Sequence, residues 1–232
     1  MDITKNLNLL KMRFSGCVGI LGGVLLFCGD MLLYYDPVSI DFRQNMAHAS
    51  DLRIIASGVC ALFAAWFYTL GTIQIYMAFK PSKPFYRNLV VLCFGGIFIA
   101  FGIVHAAYTA IAATAKLSLE NNLDLNSAVA LSVRVNDILR LFVYPIFGLL
   151  SLFFIRQVWI QKTLYPRWII VFFPLLLFLL EGVITDHVPK GLFVIVQGGY
   201  LNLILIVFFT ASTIALWNPI KSDENIKYEK TN

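Results

Sequence analysis

The sequence predicts an all-α integral membrane protein, a six-transmembrane-helix bundle with both N- and C-termini cytoplasmic. Three observations carry this. The 232 residues are 59% hydrophobic and only 13% charged, with mean hydropathy +0.78, whereas a soluble domain carries roughly 25% charged residues. Six apolar runs, near residues 14–35, 54–79, 89–113, 136–155, 168–187 and 191–217, reach the roughly 20 residues that a membrane crossing needs. Lysine and arginine gather in alternate connections, as the positive-inside rule requires. No segment outside the runs is long enough for a soluble domain, so residues 1–232 are expected to form a single polytopic membrane domain.

The first run follows Lys5, Lys11 and Arg13 and ends in "MLLYYDP". It is too long for the apolar core of a cleaved signal and lacks a small-residue cleavage site, so it reads as a retained span. Its "GGVLLFCGDMLLYY" parallels "GGIFIAFGIVHAAY" in the third run, with Gly22, Gly23, Gly29 and Tyr35 matching Gly95, Gly96, Gly102 and Tyr108. A tandem repeat would produce this pattern, but small residues placed for close helix approach explain it better, Gly19 and Gly23 forming a small-xxx-small pair. Thr69, Thr72 and Gln74 soften the cytoplasmic half of the second run. In the segment 114–135, Ser127 is a candidate N-cap for a helix that continues into the fourth run. That helix would be about 43 Å long at 1.5 Å per residue, so it must tilt or project from the bilayer. Pro145 and Pro174 are candidate kinks in the fourth and fifth runs.

Charge sets the orientation. Lys5, Lys11 and Arg13, then Lys80, Lys83 and Arg87, then Arg156, Lys162 and Arg167, then Lys221, Lys227 and Lys230 fall on one side. Arg43, Arg53, Lys116, Arg134 and Lys190 fall on the other, and only Arg140 lies inside a span. The richer side is the cytoplasmic one, and Trp159, Trp168 and Trp217 lie at its boundary. The net charge of +5 is thus explained by topology and does not imply nucleic acid. The absence of an N-x-Ser/Thr sequon favours a bacterial source, hence the inner (cell) membrane.

The polar residues of the spans share one depth. Counted outward at 1.5 Å per residue, Asp30, His105 and Arg140 lie about 24–25 Å from the cytoplasmic boundary, and Glu181 and Gln197 about 20 Å. In a core roughly 30 Å thick this is a band in the outer half, with Asp137, Asp186 and His187 just above it. Helical phase also converges. Asp137, Arg140, Tyr144, Gly148 and Ser151 form one stripe, and His105 shares a face with Gly95, Phe98 and Gly102. An ionised side chain in lipid costs at least about 2.5–3.5 kcal/mol, and arginine cannot shed its proton. Arg140 is therefore expected to meet Asp137 and one of Asp30 or Glu181.

The candidate site follows. His105 and Glu181 are the candidate catalytic pair, since burial brings both towards neutral pKa values suited to proton transfer. Asp30, Asp137, Arg140, Tyr144, Gln197 and Asn202 are the candidate ligand-binding residues. The three histidines lie on the outer side, but no HxxxH or HExxH spacing occurs, so no metal site is assigned. Cys17, Cys28, Cys60 and Cys93 all lie within spans and read as packing residues. There is no CxxC, no GxSxG and no Gly-rich phosphate loop, and no cofactor is indicated. Membrane lipid hydrolases and sterol isomerases that use histidines and carboxylates in helical bundles offer no matching motif, because only His105 is deep here.

Three functions fit. In the first, the band lines a pocket that binds or modifies a lipid-like or amphiphilic small molecule, with membrane lipid as partner. In the second, the same charges carry a small solute or ion. In the third, the bundle is a structural or partner-binding membrane subunit. A carrier needs a polar route on both sides of its site, and "LVVLCFGGIF" or "WIIVFFPLLLF" offers little on the cytoplasmic side, so the pocket ranks first.

Overall fold

The computed structural model describes residues 3–218. Lys221, Lys227 and Lys230 of the charge count lie outside the described residues, as does the side chain of Lys5. The described chain is helical, without a strand. Helix α1 (Ile3–Tyr34, 32 residues) stops before Asp36-Pro37, where the residue preceding a proline is pushed out of the helical region. Asp36 accepts the backbone N–H groups of Val38 and Ser39 at 2.8 and 2.9 Å, which hold its carboxyl below its ordinary pKa. Helix α2 (Phe42–Ala47) is short and capped by Asp41. Helix α3 (Asp51–Ala78) is capped by Ser50, and α4 (Pro84–Glu120) opens on a proline at N1, the position where the missing N–H costs nothing.

Helix α5 (Leu125–Trp159) is capped not by Ser127 but by Asp124, whose carboxylate accepts the Ser127 N–H at 2.8 Å. An Asp at this position satisfies the same orphan donor that a Ser would, three residues earlier than expected. The turn before it uses Asn122 at φ 54, a left-handed conformation that Asn tolerates better than most residues. With 37 and 35 residues, α4 and α5 run about 55 Å at 1.5 Å per residue, well beyond a core of roughly 30 Å. Pro145 sits inside α5, which continues unbroken through it.

The last third departs from the expectation of two plain spans. The run 168–187 is not one helix. It consists of a 3-10 helix (Arg167–Phe172), α6 (Pro174–Leu179) and α7 (Glu181–Asp186). Pro174 is the first cause, since Phe173 before it is extended, at φ −68 and ψ 137. The run 191–217 is two helices, α8 (Lys190–Gly198) and α9 (Tyr200–Ala215), meeting at 70° across Gly199. Among the described residues, four helices are long and apolar enough to cross a membrane, or five if the bent pair is one span.

Helix α1 packs along α3 and α9, α3 along α4, and α4 along α5, with α2 resting on α4 and α1. Glycines set the closest approach. A Cβ on Gly71 would fall 2.9 Å from the Gly19 Cα, and one on Gly22 would fall 3.1 Å from the Tyr68 backbone N. Gly95 and Gly96 have nothing within 4 Å of such a Cβ, unlike the Gly22 and Gly23 they match in the possible repeat, whereas Gly29 and Gly102 both pack closely on α3. The core is aromatic: Phe154 stacks on Phe173 at 4.5 Å, Phe94 on Phe208 at 5.8 Å and Tyr68 on Phe98 at 4.7 Å. Leu92, Leu131 and Phe142 are by contrast more than two-thirds exposed, as suits helices surrounded by lipid tails that are as apolar as they are. Arg53 of α3 reaches the end of α1 and donates to the carbonyls of Leu32 at 2.8 Å and Tyr35 at 2.9 Å, satisfying orphan acceptors of a helix terminus.

Candidate functional site

Between α1, α2, α4, α5, α7, α8 and α9, at the end of the bundle that carries α2, lies a cavity of about 380 Å³. Asp30, His105, Asp137, Arg140, Tyr144, Glu181, Gln197 and Asn202 all line it. They arrive from six helices that share no local sequence signal. Asp186 and His187 are exposed and take no part in the wall. The His187 ring bonds the Val183 carbonyl of its own helix, and His48 is likewise exposed and apart.

The deepest contact joins α1 to α4. His105 Nδ1 lies 3.1 Å from Asp30 Oδ1, and the other carboxylate oxygen accepts the side-chain amide of Asn202 from α9. On the far side of the ring, His105 Nε2 lies 3.0 Å from the Ser57 hydroxyl of α3. A carboxylate can only accept, so Nδ1 carries the proton of the neutral ring and Nε2 accepts from Ser57. Gly29 permits this close approach: a Cβ there would fall 3.3 Å from His105 Nε2 and 3.3 Å from the Ser57 carbonyl oxygen.

Asp30, His105 and Ser57 have the connectivity of a hydrolytic triad but not its orientation. A nucleophilic serine must face its substrate. Ser57 is 0% exposed and does not line the cavity. It stands behind the histidine and fixes the ring, while Asp30 and His105 face the cavity. Both ring nitrogens are occupied, so the carboxylate is the first proton acceptor that a ligand would meet.

Arg140 does not make the expected ion pair. Its Nη1 donates to the Tyr108 hydroxyl at 3.2 Å, and among the described residues no carboxylate lies within 4.0 Å of it. Asp30 is held by His105 and Asn202, and Glu181 accepts Gln197 Nε2 at 3.3 Å. Helix order decides this, since the groups share a level but stand on different walls. The guanidinium, half buried, therefore keeps donors directed at the cavity.

Several wall residues were missed by sequence reasoning. Asn136 is 1% exposed. Its amide donates to the Val104 carbonyl at 2.9 Å, and its Oδ1 has no partner although it lies on the cavity wall. Tyr108 stands one turn after His105, a spacing that marks a shared face. Tyr34 meets Tyr108 edge-on at 5.9 Å, and Arg43 of α2 lines the rim while donating to Asn126 at 2.6 Å. Ser57 had no signal at all, being one small hydroxyl in an apolar helix.

The opposite end of the bundle is closed by a second polar network. Gln74 of α3 donates to the Met12 carbonyl at 3.2 Å and to Thr213 at 3.3 Å, and accepts from Ser212 at 2.7 Å. The Tyr165 hydroxyl pairs with Ser212 at 2.8 Å. All four side chains are buried and none lines the cavity. A satisfied buried network of this kind specifies one arrangement of helices.

Fold and cavity together define a multi-pass helical membrane protein with a polar chamber inside one end of its bundle. The chain belongs to the family of unknown function DUF6796, whose model matches residues 1–219. Neither the curated proteins nor the solved structures contain a match to it.

Proposed function

We propose that the protein is a six-pass membrane protein of one domain, with both termini cytoplasmic, that binds a lipid-like or amphiphilic small molecule in the cavity. The α2 end then faces outward and the cavity occupies the outer half of the bilayer, in a bacterial inner membrane. The positive-inside distribution supports the orientation. The broken segment supports a fifth crossing, since six residues at about 2.0 Å and twelve at about 1.5 Å of rise come to about 30 Å, the thickness of a hydrocarbon core. Arg140, Asp137, Tyr144 and Gln197 hold the polar part of the ligand. Asn202 holds Asp30, and His105 keeps that carboxylate oriented for any proton transfer, with Glu181 as the second acceptor.

The observation that carries the reading is Arg140, a guanidinium on a cavity wall without a carboxylate partner. A helix clamp would have closed on one of the three carboxylates nearby. The buried Gln74–Ser212–Tyr165 network weighs against a carrier, which needs a wetted route on both sides. The test is native mass spectrometry of the full chain released from mild detergent. Wild type should retain an amphiphile adduct that is lost in Arg140→Gln and in Val104→Trp, which fills the cavity. An adduct population unchanged by both substitutions would overturn the reading.

A further inference from the structure

A second chamber of about 60 Å³ adjoins the first. Phe101, Val143, Tyr144 and Leu201 line both. Beyond that shared wall the lining holds no polar side chain. It closes on Phe94, Phe98 and Leu150, which are at most 2% exposed. On the α6 side, Phe178 stands 6.0 Å from Tyr144 and 5.9 Å from Phe147. A polar chamber thus adjoins a partly open apolar one within the same bundle.

We infer that the ligand is a single-chain amphiphile whose head bears an anionic oxygen beside a hydrogen-bond donor, and whose tail ends in the apolar chamber. This rests on the amphiphile reading above. The anion follows from Arg140, whose side-chain partner is the neutral Tyr108 hydroxyl, so a carboxylate or phosphate oxygen completes it with a charge-assisted bond. The donor follows from Asn136. Asn136 lines the cavity and its buried Oδ1 has no partner, which is costly, and an O–H or N–H of a ligand reaching it satisfies it. Of the three carboxylates on the cavity wall, Asp30 is engaged by His105 and Asn202 and Glu181 by Gln197, and Asp137 lies more than 4.0 Å from the Arg140 guanidinium. The single chain follows from the size of the apolar chamber, about 60 Å³, which has room for one tail terminus and no second branch.

The probes are 2-hydroxydecanoic acid, decanoic acid and decyltrimethylammonium, measured against the purified full chain in maltoside detergent by native mass spectrometry and thermal shift. The hydroxy acid should bind about threefold to tenfold tighter than the plain acid, one neutral hydrogen bond. Asn136→Leu should erase that difference. Arg140→Gln should weaken both acids about tenfold or more. In the 2-hydroxy series from hexanoic to hexadecanoic acid, affinity should climb and then stop once the chamber is full, and Leu201→Phe should move the stop to a shorter chain. Equal binding of the two acids by wild type overturns the donor assignment without recourse to any variant. Affinity that keeps climbing to hexadecanoic acid places the tail in the micelle and overturns the chamber. Decyltrimethylammonium binding that Val104→Trp abolishes overturns the head-group class yet leaves the amphiphile pocket standing. Failure of every probe, with no co-purified adduct, removes both.

Discussion

Asp30 and His105 meet 3.1 Å apart across the α1–α4 boundary, each almost fully buried, with Asn202 and Ser57 completing the set. Their pairing makes α1, α3, α4 and α9 one unit around the cavity. Asp30→Ala leaves an imidazole N–H and an amide without acceptors, and should cost about 3 kcal/mol of stability. The double variant Asp30→Ala/His105→Ala should be less damaging than the sum of its parts by about 1–3 kcal/mol. A cycle of detergent-solubilised unfolding measurements checks this; strictly additive losses would show the pair to be uncoupled.

Arg140 should behave in the opposite way. Because its partner is Tyr108 rather than a carboxylate, Arg140→Leu and Asp30→Asn should add within about 0.5 kcal/mol. Arg140→Leu alone should leave stability level or higher, since it removes a half-buried charge, while abolishing the lipid adduct. The same unfolding cycle measures it, and strong coupling between Arg140 and Asp30 would revive the ion pair expected from sequence.

Ser57 provides a separate check on orientation. An alkyl fluorophosphonate should leave it unmodified, since the hydroxyl is 0% exposed and behind the histidine. Ser57→Ala should retain ligand binding. Stoichiometric labelling at Ser57, read by peptide mass spectrometry, would make it a nucleophile after all.

The glycines divide cleanly. Gly71→Ala drives a methyl to 2.9 Å from the Gly19 backbone, which has no rotamer by which to yield, and should cost about 1–3 kcal/mol. Gly95→Ala meets nothing within 4 Å and should be neutral or stabilising by up to about 1 kcal/mol. Melting temperatures of the two variants suffice; equal losses would contradict the packing.

The α4–α5 turn should be sensitive to acid. The Ser127 side chain and then its N–H lower the Asp124 carboxyl from its ordinary value of 3.8. A carboxyl depressed by folding contributes its stabilisation above the ordinary pKa and loses it as pH falls through the lowered one. Hydrogen-exchange protection at Ser127 should hold from neutral pH to about pH 4, fall below it, and be absent throughout in Asp124→Ala. A pH-independent protection factor would rule out the cap.

Much of the fold was legible because membrane helices announce themselves by length and apolarity, as α1, α3, α4 and α5 do. The last third was less so. Hydropathy ignores backbone preference, and the extended Phe173 before Pro174 and the bend at Gly199 both lie inside apolar runs. Rise per residue gave Asp30, His105, Arg140, Glu181 and Gln197 one expected depth, and all five line one cavity. Partnership was not legible, because it depends on which helix stands beside which. Arg140 and Asp30 share a depth and not a wall. Asn136 had a signal that went unused, a polar residue next to Asp137 on a helix otherwise bound for lipid.

Arg53 has a mechanical consequence. By gripping the last carbonyls of α1 from α3, it holds the segment that bears Asp30 against its neighbour, so that side of the chamber is a stiff jaw. The facing jaw is made of the short α7 and α8, joined through Glu181 and Gln197 at 3.3 Å, and of the long α5, which packs on α4. Force applied from inside the chamber falls unequally on the two. For the proposed ligand, exchange is expected through the jaw of short helices, and a cross-link between α5 and α8 should slow entry and exit alike.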